Sequence, residues 1–103
     1  MTKVVFYTGE KLLGFSVSGH STESANDQNG RLVCAAVSSA AYMAANTVLE
    51  IIGDKSNVTV SDGEMELRLK NPTAETQIVL EGFKLHITEL AKQYSNNIKI
   101  SEV

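Results

Sequence analysis

Apolar and polar residues alternate in two separate stretches of the chain, and each stretch predicts a β-hairpin. In the first, residues 3–8 are rich in β-branched and aromatic side chains, and Gly9-Glu10 is a turn candidate. Residues 11–19 then alternate along their length, as a strand with one buried face does. The pattern places Leu13, Phe15 and Val17 on one face of this strand and Ser16 and Ser18 on the other.

The second hairpin is marked by the dipeptide Asp62-Gly63. This pair is favoured in two-residue hairpin turns, because both of its positions tolerate positive φ. Alternating apolar residues flank the turn, namely Val58 and Val60 before it and Met65, Leu67 and Leu69 after it. Residues 58–69 therefore predict a pair of antiparallel strands.

A long helix is predicted between the two hairpins, over residues 32–52. Six alanines in this segment allow close approach to neighbouring elements, and Gly53-Asp54 is a typical helix end. The apolar residues that recur at helical spacing are Val33, Val37, Ala40, Ala41, Ala44, Val48 and Ile51.

A second helix is predicted after Asn71-Pro72-Thr73, with Thr73 as its N-cap. Asn96-Asn97 then turns the chain into a short strand over residues 98–100. The resulting order is ββαββαβ, which predicts one α+β domain over 1–103, a largely antiparallel sheet with two helices packed on one face. The apolar stripe of the second helix is Val79, Phe83, Ile87, Leu90, Ala91 and Tyr94.

Residues 21–31 fit neither pattern, since none of them has a large apolar side chain. Nothing in this segment can anchor to a core, so it predicts a mobile surface loop. Long loops in small domains often have a function, and this one joins His20 to Cys34.

Composition narrows the classes of function. The net charge is -3, the pI is near 5.3 and the nine Lys and Arg residues are scattered, which argues against a nucleic-acid-binding surface. No stretch approaches the roughly 20 apolar residues of a membrane span, so no membrane partner is expected. A single cysteine excludes an internal disulfide and favours a reducing, cytoplasmic location. One Cys and two His are too few for a usual structural zinc site, and no other cofactor is implied.

Cys34 and His20 are the candidates for chemistry. Cys34 lies within about the first turn of the predicted helix, where the helix dipole favours a thiolate. His20 closes the second strand. A thiol at a helix start beside an imidazole at a strand end is the arrangement that nucleophilic catalysis needs.

Spacing alone does not establish this interpretation. A lone cysteine in an alanine-rich helix is most often a small buried apolar residue, and a histidine at a strand end is usually a surface residue. His86 lies beside the apolar stripe of the second helix, where packing explains it better than catalysis does.

The residues of the motif resemble the signature of a known protein family. Gly19-His20-Ser21, a short polar loop and then Val33-Cys34-Ala35-Ala36-Val37-Ser38 resemble the signature of the bacterial ribosomal-processing cysteine proteases, the Prp family, over essentially the whole chain. The resemblance implies a Cys34–His20 dyad supported by Gly19 and by Ser38, one turn after the cysteine. It also implies that the substrate is the N-terminal extension of a large-subunit ribosomal protein, and that the protein forms a homodimer.

The sequence departs from the family at two points. The family commonly has an Asp three residues before the cysteine, where this chain has Arg31. The segment between His20 and Cys34 is also about two residues longer than in many members, and Asp27 within it is a possible substitute for the missing Asp. Arg31 keeps open a non-catalytic, ribosome-associated binding or assembly module, and a redox-sensing thiol is a weaker third alternative.

Overall fold

The order of strands and helices is the predicted ββαββαβ, in a computed structural model that describes residues 1–19 and 28–103. A π-helical segment, Thr47–Ile52, directly continues the first helix. The strands and helices are β1 Thr2–Thr8, β2 Leu12–Ser18, α1 Gln28–Asn46, β3 Ser56–Ser61, β4 Glu64–Leu69, α2 Ala74–Gln93 and β5 Ile98–Glu102.

The five strands form one sheet in the order β3-β4-β2-β1-β5. All neighbours are antiparallel except β1 and β5, which run parallel because α2 carries the chain back across the sheet. Lys3 lies opposite Ser18, Ser18 opposite Glu64, and Glu64 opposite Ser61. Four strand termini therefore meet at one end of the sheet, which we call the Ser18 end.

Both helices pack on one face of the sheet, as predicted, and the core lies between the two layers. The ring of Phe83 on α2 lies 4.3 Å from that of Phe15 and 5.8 Å from that of Phe6, measured between centroids. The alanines of α1 let this helix sit close to the sheet. The most deeply buried core residues include Val4, Phe6, Phe15, Val33, Val37, Val48, Leu67, Leu80 and Ile87.

One position in β2 differs from its predicted face. Leu12 lies in the core and is 5% exposed, whereas Leu13 is half-buried outside the core cluster. The β1–β2 ladder is irregular here: Tyr7 pairs with Gly14, but the next residue, Thr8, pairs with Leu12. The skipped residue, Leu13, shifts the alternation by one, so the prediction that Leu13 shares a face with Phe15 was wrong.

The first helix begins earlier than predicted. α1 starts at Gln28 rather than at residue 32, so residues 28–31, the last four of the predicted 21–31 loop, form its first turn. The remainder of that loop falls within 20–27, outside the described residues. The first turn buries only Gly30, which has no side chain, so no apolar periodicity marks it in the sequence.

The other end of this helical segment is as predicted. Gly53 adopts a left-handed conformation, with φ of 81°, and its N–H donates to the carbonyl of Val48 over 2.9 Å. Glycine is favoured at such a helix end because it has no Cβ to clash.

The combined segment Gln28–Ile52 is long and apolar enough, by length and composition, to span a membrane. This corrects the prediction that no stretch approaches that length; the small, apolar alanines raise its hydropathy. In this fold one face of the segment packs into the core, where Val33, Val37 and Val48 are at most 1% exposed.

Asp54 ties the end of the π-helical segment to the start of α2. Its Oδ2 accepts hydrogen bonds from the Thr73 N–H at 2.9 Å, the Thr73 hydroxyl at 2.9 Å and the Thr76 hydroxyl at 2.5 Å. Thr73 is the N-cap of α2, as predicted, and accepts from the Thr76 N–H. The Thr73 backbone donor, followed by the Thr76 hydroxyl, holds the pKa of Asp54 below its usual value.

We expect Asp54→Asn to lower the melting temperature by a few degrees near neutral pH. Because the pKa is lower in the folded than in the unfolded state, the carboxylate stabilises the fold above its ordinary pKa, 3.8. That stabilisation is lost as the pH falls through the folded value, so the two proteins should converge on acidification. Thermal melts at pH 7 and at stepwise lower pH test this. An equal loss of melting temperature in Asp62→Asn would show that the change in net charge, and not the hydrogen bonds of Asp54, causes the effect.

Candidate active site

Cys34 lies in the second turn of α1, not in the first turn as predicted. It is the seventh residue of the helix because α1 begins at Gln28. Its side chain is half-buried and the thiol is free. The helix dipole acts mainly within the first turn, which Cys34 does not occupy. The Cys34 N–H also falls inside the helix, where it belongs to the intrahelical ladder.

Three side chains spaced four residues apart share one face of α1. Cys34 and Ser38 are half-buried, and Tyr42, one further turn along, is 45% exposed. All three line a single cavity of about 130 Å³. The prediction that Ser38 lies on the same face as Cys34 is therefore met by the helix geometry.

The Ser18 end of the sheet forms the other wall of this cavity. One end of each of the strands β1, β2, β3 and β4 lies there. Residues that are distant in sequence therefore line the cavity together with Cys34. The described lining residues from this side are Thr2, Val17, Gly19, Ser61, Gly63, Glu64 and Met65, while α1 adds Ala41 to the three above. The buried lining residues are apolar apart from Thr2, and Ser38, Tyr42, Ser61 and Glu64 are half-buried or exposed.

Gly19 makes the turn that ends β2 beside the cavity. Its φ is +97°, and a Cβ at this position would lie 2.4 Å from the carbonyl oxygen of Met1. A real Cβ does not approach a backbone oxygen so closely, so only glycine fits without movement of the chain. This gives a physical reason for a glycine directly before His20.

His20 and Asp27 lie outside the described residues, 1–19 and 28–103. The pairing of His20 with Cys34 and the substitution by Asp27 therefore stay predictions. The structure does place the residue before His20, Gly19, in the same cavity as Cys34.

Arg31 is exposed on the first turn of α1, three residues before Cys34. Residues at this spacing are neighbours on a helix surface. Arg31 therefore lies on the helix surface next to Cys34, but it is not among the described residues that line the cavity.

A second, larger groove of about 640 Å³ runs between α1 and α2. It is mostly apolar, and Met43, Ile78 and His86 are among its lining residues. His86 is exposed there and does not line the Cys34 cavity. Across the described ranges, no group of three His, Cys, Asp or Glu side chains could hold a metal ion.

Thr2 and Tyr42 are among the lining residues that the sequence analysis missed. Tyr42 could have been found, because it follows Cys34 and Ser38 at the same four-residue spacing. Thr2 reaches the cavity only through the strand order of the sheet, which no local pattern encodes.

Comparison with known proteins adds to this geometry. A family model described as cysteine protease Prp matches residues 1–99. Two solved structures of an essential ribosomal processing protease Prp from S. aureus are similar over 100% of both chains. The complex with a covalently linked product peptide has 18% sequence identity and a TM-score of 0.87. The complex with a substrate peptide has 17% sequence identity and a TM-score of 0.89. SMU.848 from Streptococcus mutans is similar at 22% identity and a TM-score of 0.85, over 100% of this chain and 97% of the other. No match was found among curated proteins.

Proposed function

The chain belongs to the cysteine protease Prp family, and we propose that it removes the N-terminal extension of a large-subunit ribosomal protein by cutting one peptide bond. The observation that carries the proposal is the half-buried Cys34 thiol in a cavity bounded by Gly19. The similar S. aureus structures are of a ribosomal processing protease with bound peptides, which supports this class of substrate.

In the proposed mechanism Cys34 is the nucleophile and His20 is the base and then the acid. His20 takes the thiol proton, the sulfur attacks the scissile carbonyl carbon, and a tetrahedral intermediate forms. The C–N bond then breaks as His20 returns the proton to the leaving amine. His20 then takes a proton from water, which attacks the thioester carbonyl carbon; the C–S bond breaks and His20 returns the proton to the Cys34 sulfur. These steps require no metal or organic cofactor.

Gly19 and Ser38 have supporting roles in this proposal. Gly19 directs the chain into His20 through a turn that other residues cannot adopt without strain. Ser38 lies one helical turn beyond Cys34 and lines the same cavity, where its hydroxyl can hydrogen-bond to the bound peptide.

The test is cleavage of the same organism's extended ribosomal protein by the purified protein, read by intact mass. The wild type should produce one N-terminal trim, and Cys34→Ser should produce none. Trimming by both the wild type and Cys34→Ser would indicate a contaminating protease. Trimming by neither protein would refute the proposed activity.

A non-catalytic binding module is the second candidate, and Arg31 is the residue that favours it. It would bind the extended ribosomal protein without cutting it. Stable binding without turnover, together with a Cys34 thiol that resists alkylation near neutral pH, would identify this function.

We also propose that the protein is a cytoplasmic homodimer. Exposed apolar side chains flank the groove between α1 and α2, with Met43 67% and Ile78 72% exposed. Large exposed apolar patches usually mark an interaction surface.

We expect Ile78→Lys to shift the protein from dimer to monomer, because a charge would be buried in the interface. Light scattering coupled to size exclusion measures the mass directly. Val60→Lys is a control, since Val60 is 53% exposed but lies on β3 and does not line the groove. A monomeric wild type would refute the dimer, and an unchanged Ile78→Lys dimer would refute this location for it.

A further inference from the structure

We infer that the outer edge of β3 is the docking site for a segment of the substrate next to the scissile bond, which adds to the sheet there as a further strand. The inference rests on the proposed function and deepens it, because it states how the peptide is held beside Cys34. The partner is an extended peptide with an apolar side chain on the helix-facing side of the sheet.

The first observation is that β3 is an edge strand whose own residues do not protect it. Among the strands that the structure describes, β3 pairs with β4 alone. Its residues, Ser-Asn-Val-Thr-Val-Ser, include no charged side chain and no proline, and their register with β4 is unbroken. Natural edge strands usually carry charges, prolines or bulges that prevent pairing with another chain. An edge without them is open to strand addition.

The opposite edge of the sheet shows the contrast. β5 carries the charged residues Lys99 and Glu102, and the Glu102 carboxylate forms an ion pair with Lys84 of α2. Charged side chains on an edge strand discourage pairing with a further strand. Of the two edges, β3 is therefore the one suited to bind a peptide.

The hydrogen-bond pattern of the hairpin determines which backbone groups of β3 point outward. The two-residue turn between β3 and β4 makes its flanking residues, Ser61 and Glu64, a hydrogen-bonded pair. Such pairs alternate along an antiparallel ladder with pairs that exchange no hydrogen bonds. The N–H and C=O groups of Ser56, Val58 and Val60 therefore point away from β4, toward the free edge.

The edge ends at the candidate active site. Ser61, the last residue of β3, lines the cavity that contains Cys34. Neighbouring strands in a sheet lie about 4.8 Å apart, so a peptide strand on β3 would have one end a single strand spacing from Ser61. The next residues of the peptide can then enter the cavity without a long connection.

Val60 sets the chemistry of the docked segment. Its cross-strand partner, Met65, is buried and lines the Cys34 cavity, whereas Val60 itself is 53% exposed. Directly opposite residues share a face of the sheet, so Val60 lies on the helix-facing side at a place that the helices leave open. An apolar side chain of the peptide opposite Val60 would cover it, and such cross-strand apolar pairs stabilise a sheet.

Backbone hydrogen exchange is the first test. It is measured in Cys34→Ser, with and without a peptide that spans the N-terminal extension and the first residues of the mature ribosomal protein. At saturating peptide the N–H groups of Val58 and Val60 should exchange at least about tenfold more slowly, because each gains an acceptor. The N–H groups of Asn57 and Thr59 already bond to β4 and should slow by a smaller factor. Unchanged exchange at Val58 and Val60 would overturn the inference.

Val60→Pro is the second test, made in the Cys34→Ser background. It removes an outward N–H but no hydrogen bond to β4, and edge strands tolerate proline at such positions. Peptide affinity should fall about tenfold. Val60→Thr is the matched control, since it keeps the N–H and the branched shape, and its affinity should stay within about threefold. An equal fall in both variants would show that the backbone edge does not hold the peptide.

N-methylation of the peptide identifies the docked segment. A methyl group on a peptide nitrogen removes its hydrogen bond to β3 only at residues whose N–H faces that strand. Affinity should therefore fall at every second residue of the docked segment, and the residues between should be less sensitive. Losses without this period of two would contradict strand addition.

A second copy of the chain is the competing occupant of this edge. In that case Val58 and Val60 would be protected without peptide, more strongly at higher protein concentration. Val60→Pro would also convert a dimer to a monomer, as measured by light scattering. Either result would overturn peptide docking at β3.

Binding separates this inference from the proposed function. If the wild type does not cleave the peptide but the peptide protects Val58 and Val60, the proposed protease fails and the docking edge stands. If the wild type cleaves and Val60→Pro changes neither KM nor affinity, the docking edge is wrong and the protease stands. Neither cleavage nor binding of the peptide would overturn both.

Discussion

Gly19→Ala is expected to lower the free energy of unfolding by about 3 kcal/mol and to abolish most cleavage. Two destabilising effects, backbone strain and a steric clash, add at this position. Alanine is strained at φ of +97°, and its Cβ would meet the Met1 carbonyl oxygen at 2.4 Å. Relief requires the end of β2 to move, which displaces the segment that leads to His20. Chemical denaturation and peptide cleavage, measured on the same preparations, report the two effects.

Gly53→Ala separates the two costs. Gly53 also has a positive φ, +81°, but a Cβ there has no atom within 4 Å. This variant should lose only about 1 kcal/mol, from backbone strain alone, and should keep its activity. If Gly19→Ala is no less stable than Gly53→Ala, the contact with Met1 is not what requires glycine at position 19.

Cys34→Ala is expected to lower kcat/KM by at least about a thousandfold, because the sequence contains no second cysteine to form the thioester. The fold should persist, since Cys34 is only half-buried and alanine suits the middle of a helix. Steady-state cleavage and a thermal melt measure the two quantities.

Ser38→Ala is the comparison on the same helix face. It removes a hydroxyl from the cavity but leaves the thiol, so a loss of no more than about tenfold is expected. Cleavage by Cys34→Ala at the wild-type rate would refute the mechanism in which the Cys34 thiol is the nucleophile. Loss of its cooperative melt would show that the cysteine is needed for packing.

Local patterns in the sequence predicted most of the fold. The turn Asp62-Gly63, the cap at Thr73 and the helix end at Gly53 are each set by the chemistry of a few adjacent residues, and all three are confirmed. The errors arose where local pattern carries no information. The start of α1 buries only Gly30, and the displacement of Leu13 depends on an irregular pairing with β1.

The candidate site was partly predictable for the same reason. Cys34, Ser38 and Gly19 lie in short motifs, and the structure places all three around one cavity. Thr2 could not be found from the sequence, because it lines the cavity only through the order of strands in the sheet. The predicted partner, His20, is outside the described residues and awaits its own test.

The parallel pairing of β1 with β5 has a consequence for synthesis of the protein. The backbone of Thr2 is held by Asn97 and Ile98, so this wall of the cavity forms only when the two most distant strands meet. Pairings between such distant residues form late and slowly. A nascent chain still attached to the ribosome, with residue 98 inside the exit tunnel, therefore lacks a complete cavity. The Cys34 cavity of the proposed protease would therefore be completed only once residue 98 has emerged from the exit tunnel.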